Sequence, residues 1–233
     1  MAEIGNTAPL RAAGLAARYA GHDGGEELLR PLIEQEFHGS IALLSSFGSE
    51  AALLLDMVAA IDRTVPVIFL DTGKLFGETL RYRDRLVKQL GLTDLRIVRP
   101  APAQVAAEDP QGSLWHDDPD ACCALRKVVP LGPALAGLSA WISGRKRYQG
   151  GLRRSLGLFE AADGRVKINP LAGWSRSRIE AALADRGLPP HPLEADGFLS
   201  IGCMPCTQRV APGGDHRSGR WAGLGKTECG IHL

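Results

Sequence analysis

The chain lacks any apolar run of the length needed to cross a bilayer, which excludes a helical membrane span. Its first residues, Met1-Ala2-Glu3-Ile4-Gly5, lack a basic segment followed by an apolar one. No signal peptide is therefore expected, and the expected compartment is the cytoplasm. An excess of one charge is missing as well: 27 Lys and Arg stand against 26 Asp and Glu, a formal net charge of +1. So balanced a chain is not a nucleic-acid or other polyanion binder as a whole, and any basic site has to be local. There is no internal repeat and no low-complexity tract. Cysteine is scarce, five in 233 residues, and the odd count argues against a secreted disulfide framework. What is present is 45% hydrophobic residues, enough to pack a core and to exclude global disorder.

The apolar residues alternate between two periods. Leu28, Leu29, Leu32, Ile33 and Phe37 share one side of a helix that Gly39 stops. Residues 41–44 read as a short buried strand, 45–49 as a small-residue loop, and 50–61 as an apolar helix. A second strand at 65–70 ends in Asp71-Thr72-Gly73, and a helix at 76–90 is closed by Gly91. Further strands are expected at 95–98, 140–143 and 166–168, and a helix from Ser175, its N-cap, to about Arg186. Residues 100–119 read as irregular loop, followed by a helical stretch broken at Pro130 and Pro133. The β–α–β–α–β alternation predicts an α/β fold, a parallel twisted sheet with helices on both faces. One domain is expected over residues 1–210, and residues 211–233, rich in glycine and proline, as a mobile C-terminal tail.

Four groups of residues carry chemistry. Ser45, Ser46, Gly48 and Ser49 follow a strand and lead into a helix, where backbone N–H groups and hydroxyls can hold an anion. Asp71, Thr72 and Gly73 end the next strand on the same sheet edge. Arg145, Lys146 and Arg147, with Arg153 and Arg154 soon after, follow the strand ending at Ser143, and arginine grips oxyanions through paired donors. Cys122-Cys123 and Cys203-Met204-Pro205-Cys206 offer four thiolates for a metal or an iron–sulfur cluster. Direct adjacency of Cys122 and Cys123 weakens a zinc reading, because paired zinc ligands are usually two to four residues apart. A thioredoxin-type dithiol at Cys203 and Cys206 is the alternative, although it falls late in the chain, in a Gly/Pro-rich loop. Cys229 is left over near the end, either an incidental thiol or a nucleophile placed to move between two settings.

Together these segments resemble the assimilatory adenylyl-sulfate reductase family, within the PP-loop adenine nucleotide α-hydrolase-like fold. The matching residues are Ser45-Ser46-Phe47-Gly48-Ser49-Glu50, Asp71-Thr72-Gly73-Lys74-Leu75-Phe76, Cys122-Cys123-Ala124-Leu125-Arg126-Lys127 and Trp141-Ile142-Ser143-Gly144-Arg145. They continue with Lys167-Ile168-Asn169-Pro170-Leu171, Ser200-Ile201-Gly202-Cys203-Met204-Pro205-Cys206-Thr207, Gly219-Arg220-Trp221 and Glu228-Cys229-Gly230-Ile231-His232. The cysteine framework with the terminal Glu-Cys-Gly-Ile-His is the specific part.

The resemblance implies that Cys229 attacks the sulfur of adenosine 5′-phosphosulfate, that AMP leaves, and that thioredoxin releases sulfite from the S-sulfocysteine. It implies one 4Fe–4S cluster on Cys122, Cys123, Cys203 and Cys206. Lys127 would bridge cluster and sulfate, with His232 in the catalytic set. Arg154, Arg217 and Arg220 would contact the sulfate. The substrate-binding set would include Ser45, Ser46, Phe47, Gly48, Ser49, Asp71, Thr72, Gly73, Lys74, Gly144 and Arg145. Relatives form homo-oligomers, so one is expected here, with no nucleic-acid or membrane partner.

Three departures stand out. Phe47 occupies a position where ATP-cleaving PP-loop enzymes carry glycine, and a bulky ring there would leave little room for a pyrophosphate. Tyr148-Gln149-Gly150 replaces an acidic residue, Gln and Ser. The tail after Trp221 lacks the further tryptophans common in relatives. The competing readings are reduction of the 3′-phosphorylated nucleotide or of both nucleotides, a PP-loop ATP pyrophosphatase or tRNA-thiolating enzyme, and a non-enzymatic metal or redox sensor. Four cluster cysteines favour the unphosphorylated nucleotide, Phe47 argues against ATP cleavage, and Cys229 argues against a mere sensor.

Overall fold

The structure, a computed structural model, describes residues 7–232. Met1–Gly5, where no leader is expected, and Leu233, the end of the expected tail, lie outside the described residues. Six strands form one sheet in the order β3-β2-β1-β4-β6-β5. These are β1 (Ile41–Leu44), β2 (Val67–Leu70), β3 (Leu95–Val98), β4 (Ala140–Ser143), β5 (Phe159–Ala162) and β6 (Arg165–Ile168). All neighbours pair in parallel except β5 and β6, which are antiparallel. Every residue of β2 and β4 is buried, as it must be where helices cover both faces of a parallel sheet.

On one face pack α1 (Thr7–Arg18), α2 (Gly25–Pro31), α3 (Ala51–Ile61), α4 (Gly77–Leu90) and α9 (Arg176–Asp185), around Leu29, Phe37, Leu53, Phe69, Tyr82 and Ile179. The other face buries Ala42, Ile68, Leu70 and Trp141 under Leu131 and Leu135 of α8 (Val129–Ala134). The expected alternation and the helices on both faces are as observed. Among the described residues, no helix is long and apolar enough to cross a membrane.

Several local expectations are corrected. The stretch expected as irregular holds α5 (Pro102–Glu108), with proline at its start, and the single turn α6 (Leu114–Asp117). The helix α7 (Pro119–Cys123) is capped by the Asp118 side chain, which accepts from the N–H groups of Asp120 and Ala121. It continues through a π turn, Ala124–Val128, into α8. Pro130 does not break this helix, because it falls in the first turn of α8, where its missing N–H costs little. Strand β5 was not foreseen, although Asp163-Gly164, both at positive φ, is a hairpin signal.

His191 fixes the segment that follows α9. Its Nδ1 accepts from Leu193 N–H (3.2 Å), which leaves the proton on Nε2 to be donated to Thr79 Oγ1 (3.1 Å). Burial pulls this imidazole down to about 4. The folded state thus resists a proton that the unfolded chain takes up near its ordinary value of about 6.5. Stability contributed by neutral His191 is present above that value and is lost as pH falls toward 4. Acid unfolding of His191→Gln is expected to lose part of the steepness seen in the parent between pH 6.5 and 4, read by circular dichroism.

Candidate active site

Between β1 and β4 the sheet order reverses direction, and chains leaving the carboxyl ends of these strands diverge to open a crevice. A cavity of about 210 Å³ lies there. Its floor is the loop after β1, and its walls are the loop after β4 and the C-terminal segment.

The floor is built as expected from Ser45, Ser46, Gly48 and Ser49. Ser45 Oγ accepts from Phe47 N–H (3.2 Å), and Ser49 Oγ donates to Leu199 O (2.9 Å). Phe47 is different. Its backbone takes φ 49° and turns the ring into the main core, fully buried and edge-on to Phe69. The side chain therefore does not narrow the cavity, and the steric argument against a longer phosphate chain falls.

Of the Asp71–Lys74 group only Thr72 lines the cavity. Asp71 accepts from Gly73 N–H and pairs with Arg99 (2.9 Å). Lys74 Nζ donates to Gly112 O (2.6 Å) beside the cysteines.

The basic run after β4 divides by direction. Gly144, Arg145, Lys146 and Arg153 line the cavity. Arg147 instead donates to Leu156 O (2.7 Å), and Arg154 is exposed, because neighbouring residues of the 3₁₀ turn Gly151–Ser155 point apart. Arg154 was the expected anion contact, and Arg153 stands in that place. Arg145 is paired with Glu160, and Lys146 with Glu50 (2.5 Å). Glu50 also accepts from Tyr148 and Gln149, and although burial raises its carboxyl, Lys146, the Tyr148 hydroxyl and His216 outweigh that and hold it below the usual range. Sequence reasoning passed over Glu50 and Gln149 as cavity residues, and nothing in their local pattern marks them.

Residues 211–232 lie against the cavity. His216, Arg217, Arg220, Glu228, Cys229 and His232 all line it. Arg220 crosses Gly202, where a side chain would collide with its guanidinium, and donates to Cys206 O (3.3 Å). At Gly230 a Cβ would stand 3.1 Å from Val128 Cγ2. The 3₁₀ turn Gly230–His232 is closed by His232 N–H donating to Cys229 O (2.9 Å). Ile231 packs on the Trp141 face of the sheet, and the His232 ring stacks on Trp141 at 6.2 Å. Burial and the charges of Lys167, Arg145, Arg153 and Arg217 hold His232 neutral, well below its ordinary value.

Five reduced cysteines gather here. Cys123, Cys203, Cys206 and Cys229 cluster with Trp221, all buried. A second, small cavity is bordered by Cys122, Cys123, Cys203 and Cys206, with Lys127 reaching both cavities from the π turn. The Cys203–Cys206 turn is pinned by Met204 N–H to Lys74 O (2.8 Å) and by Thr72 Oγ1 against Cys203 Sγ (3.2 Å). The other pair is pinned by Arg126, which donates to Thr72 O (2.8 Å) and pairs with Asp109 (2.7 Å). Among the described residues, no three Cys, His, Asp or Glu side chains are grouped to hold a single metal ion. The donor set itself, four buried unoxidised sulfurs from two elements around one cavity, suits a thiolate-bound group. Burial raises the Cys122 and Cys206 thiols, so such a group would displace protons on binding.

Cys229 is set apart electrostatically. A hydrogen bond from Cys123, the charges of Lys127 and Arg220, and the Ile231 N–H hold its thiol below the ordinary value, against burial. Burial would lower Lys127, but the sulfurs of Cys203, Cys229 and Cys123 outweigh it and keep the ammonium charged.

Fold and site together define an α/β protein of the PP-loop class with a cationic cleft and an embedded thiol. Residues 40–209 match the family model described as the phosphoadenosine phosphosulfate reductase domain. Among curated proteins, the chain is 52% identical over 223 residues to the adenosine 5′-phosphosulfate reductase of Mesorhizobium japonicum, covering 96% of this chain and 87% of that one. It is 49% identical to the protein of the same name from Chelativorans sp., covering 97% and 92%. Among solved structures it resembles the phosphoadenylyl-sulfate reductase of Candida auris, with a TM-score of 0.70 and 25% identity over 85% of this chain and 96% of that one. The chain belongs to the phosphoadenosine phosphosulfate reductase family.

Proposed function

We propose that this chain reduces adenosine 5′-phosphosulfate to sulfite and AMP, with Cys229 as the nucleophile. The observation that carries the reading is Cys229 in the wall of an anion-sized cleft, with Lys127 and Arg220 acting on its sulfur. The Cys229 thiolate attacks the sulfuryl sulfur, an S–S bond forms, and the bond to the phosphate oxygen breaks with its electron pair leaving on AMP. The enzyme then holds an S-sulfocysteine. A thiolate of a thioredoxin-type dithiol attacks Cys229 sulfur and expels sulfite with the S–S electron pair. The second thiol of the donor resolves the mixed disulfide and returns Cys229 as thiolate. The donor is oxidised by two electrons and the sulfuryl group is reduced by two.

Each step asks something of this chain's residues. The loop at Ser45–Ser49 and the helix behind it offer N–H groups and hydroxyls to an anionic nucleotide. Lys127, Arg153, Arg217 and Arg220 offset the repulsion between thiolate and substrate. Neutral His232 can donate a hydrogen bond without adding charge. Cys229 is buried, with a relative exposure of 6%, so a protein donor can reach it only if the segment that carries it lifts away. That motion is part of the proposal.

Cys122, Cys123, Cys203 and Cys206 would hold a 4Fe–4S cluster. When bound, it would supply a fixed, polarisable charge centre beside Lys127 and the substrate sulfate. The 3′-phosphorylated nucleotide is the second reading, favoured by the family description and by the name of the Candida auris relative.

The test is intact-mass analysis after adding each nucleotide without donor. One added sulfonate located on Cys229 is expected with adenosine 5′-phosphosulfate, and sulfite release on adding thioredoxin. No adduct with either nucleotide would overturn the reading. A further outcome separates the two arginines. Arg153→Ala is expected to raise KM about tenfold, the loss of one charge-assisted contact, while Arg154→Ala leaves it unchanged. Steady-state sulfite release measures both.

A further inference from the structure

Beside its arginines, the C-terminal segment brings to the cleft a titratable group that the proposed reaction leaves unused, His216. Its side chain is nine-tenths buried, with 10% exposed, and the residue lines the cavity. Nε2 faces Glu50 Oε1 at 3.6 Å, a contact of charge longer than a hydrogen bond. Nδ1 is buried and has no hydrogen-bond partner among the described residues. The Tyr148 ring packs edge-on against the imidazole, with centroids 5.9 Å apart. Glu50 is the N-cap residue of α3, so His216 stands where the serine loop enters that helix, and Arg217 follows it in the chain.

We propose that His216 is a further anion-binding residue, whose Nδ1 donates to an oxygen of the bound phosphosulfate while Nε2 stays on Glu50, so that nucleotide binding draws a proton into the cleft. The inference rests on the reading of the cleft as an anionic-nucleotide site.

Tautomer and charge both favour this coupling. In the free enzyme the carboxylate beside Nε2 keeps the imidazole proton on that nitrogen, which leaves a lone pair on Nδ1. A lone pair facing an incoming oxyanion repels it. Protonation of Nδ1 converts that acceptor into a charge-assisted donor. Without an anion, the second proton has no counter-charge of its own. Glu50 already accepts from Lys146 Nζ (2.5 Å), the Tyr148 hydroxyl and Gln149 Nε2 (3.2 Å). The charged groups facing the ring are Glu50, Arg176 at the start of α9, Lys146 after β4 and Arg217, while Tyr148 is neutral. Burial and these cations outweigh Glu50 and hold the imidazole below its ordinary value. A phosphosulfate brings negative charge to the same wall and reverses that balance. The new bond runs from the ligand to the C-terminal segment, so it helps to keep that segment on the cleft, with Arg217 and Arg220, while Cys229 attacks.

The experiment uses the cluster-loaded Cys229→Ser enzyme, prepared anaerobically, so that adenosine 5′-phosphosulfate binds without turnover. The substitution also removes the Cys229 thiol from the proton count. This nucleotide has no group that titrates near neutrality, so a proton taken up goes to the protein. Calorimetry near pH ~7.5, in buffers of different ionisation enthalpy, counts it. Uptake of at least about half a proton per nucleotide is expected, and affinity is expected to fall as pH rises, because the bound state carries the extra proton. His216→Phe keeps a ring against Tyr148 and is expected to abolish the uptake and weaken binding about tenfold, the loss of one charge-assisted contact. His216→Asn, whose amide can place a donor where Nδ1 stands, is expected to bind within about threefold of the parent without uptake. No uptake with His216 present overturns the proposal, and this arm needs no His216 variant to fold. Uptake that persists in His216→Asn or His216→Phe also overturns it, since His232 or Lys167 would then take the proton. Unchanged affinity in His216→Phe does the same. The enzyme with Cys229 intact, given adenosine 5′-phosphosulfate, serves as the control. Absence of a sulfonate on Cys229 there sinks the functional reading, whereas its presence without proton uptake sinks only the role of His216.

Discussion

Cys229→Ser is expected to lower sulfite formation by at least ~10³-fold while AMP still binds within about a factor of two. The thiol does two things that a hydroxyl cannot. It is held below the ordinary thiol value by a hydrogen bond from Cys123 and by the charges of Lys127 and Arg220, whereas a serine hydroxyl at the same place stays protonated. It also forms an S–S bond that a donor thiolate can break, whereas an O-sulfonate offers that donor no disulfide-like sulfur. The change is nearly isosteric, and the Cys229 N–H can still donate to Glu228, so the cleft is expected to persist. Single-turnover sulfite assays with AMP binding by calorimetry decide it. Retained sulfite formation would move the chemistry to another cysteine.

The second large effect is expected at Lys127. It reaches both the cysteine cavity and the cleft, and the sulfurs of Cys203, Cys229 and Cys123 keep it charged. At about 4 Å and an effective dielectric near 20, two unit charges interact by roughly 4 kcal/mol. A cation placed between an incoming thiolate and a sulfuryl group removes a repulsion of that order, and each 1.4 kcal/mol or so is about tenfold in rate. Lys127→Gln is therefore expected to lower kcat/KM by ~10²–10³-fold, and Lys127→Arg to recover part of it. Arg220 remains in place in both variants, which is why the full value is not expected. A drop of less than about threefold in Lys127→Gln would show that the charge does not act on the reacting atoms.

Much of the fold is legible in the chain. The runs at 41–44, 67–70 and 140–143 are short and largely apolar, each holds a β-branched or aromatic residue, and their length suits buried parallel strands. Gly91 announces the end of α4 and sits at φ 66°. The misses are of two kinds. Strand β5 (Phe-Glu-Ala-Ala) is weak by itself and exists because β6 offers it a ladder. The helix begun at α7 runs on through the π turn into α8 because Pro130 falls in the first turn of α8, where its missing N–H costs little, which no proline count reveals.

The candidate site divides along the same line. The cysteines were identifiable by residue type and spacing, whereas the serine loop and the basic run, which are as often plain structure, were identifiable only in combination with them. Which of two neighbouring arginines faces the cleft was not, because a 3₁₀ turn sends Arg153 inward and Arg154 out. Nor could the pairing of Arg153 with Glu228, 75 positions away, be read from either segment.

By itself the sequence determined which elements form and which chemical groups the chain possesses, because period, propensity and side-chain chemistry act over a few residues. The tertiary structure alone decided where those groups point and which charges neutralise each other. It turned Phe47 into the core, gave Arg145 and Lys146 to Glu160 and Glu50, and laid the C-terminal segment across the cleft. Such choices depend on partners brought close only when the sheet closes, and on burial that makes an unpaired charge costly.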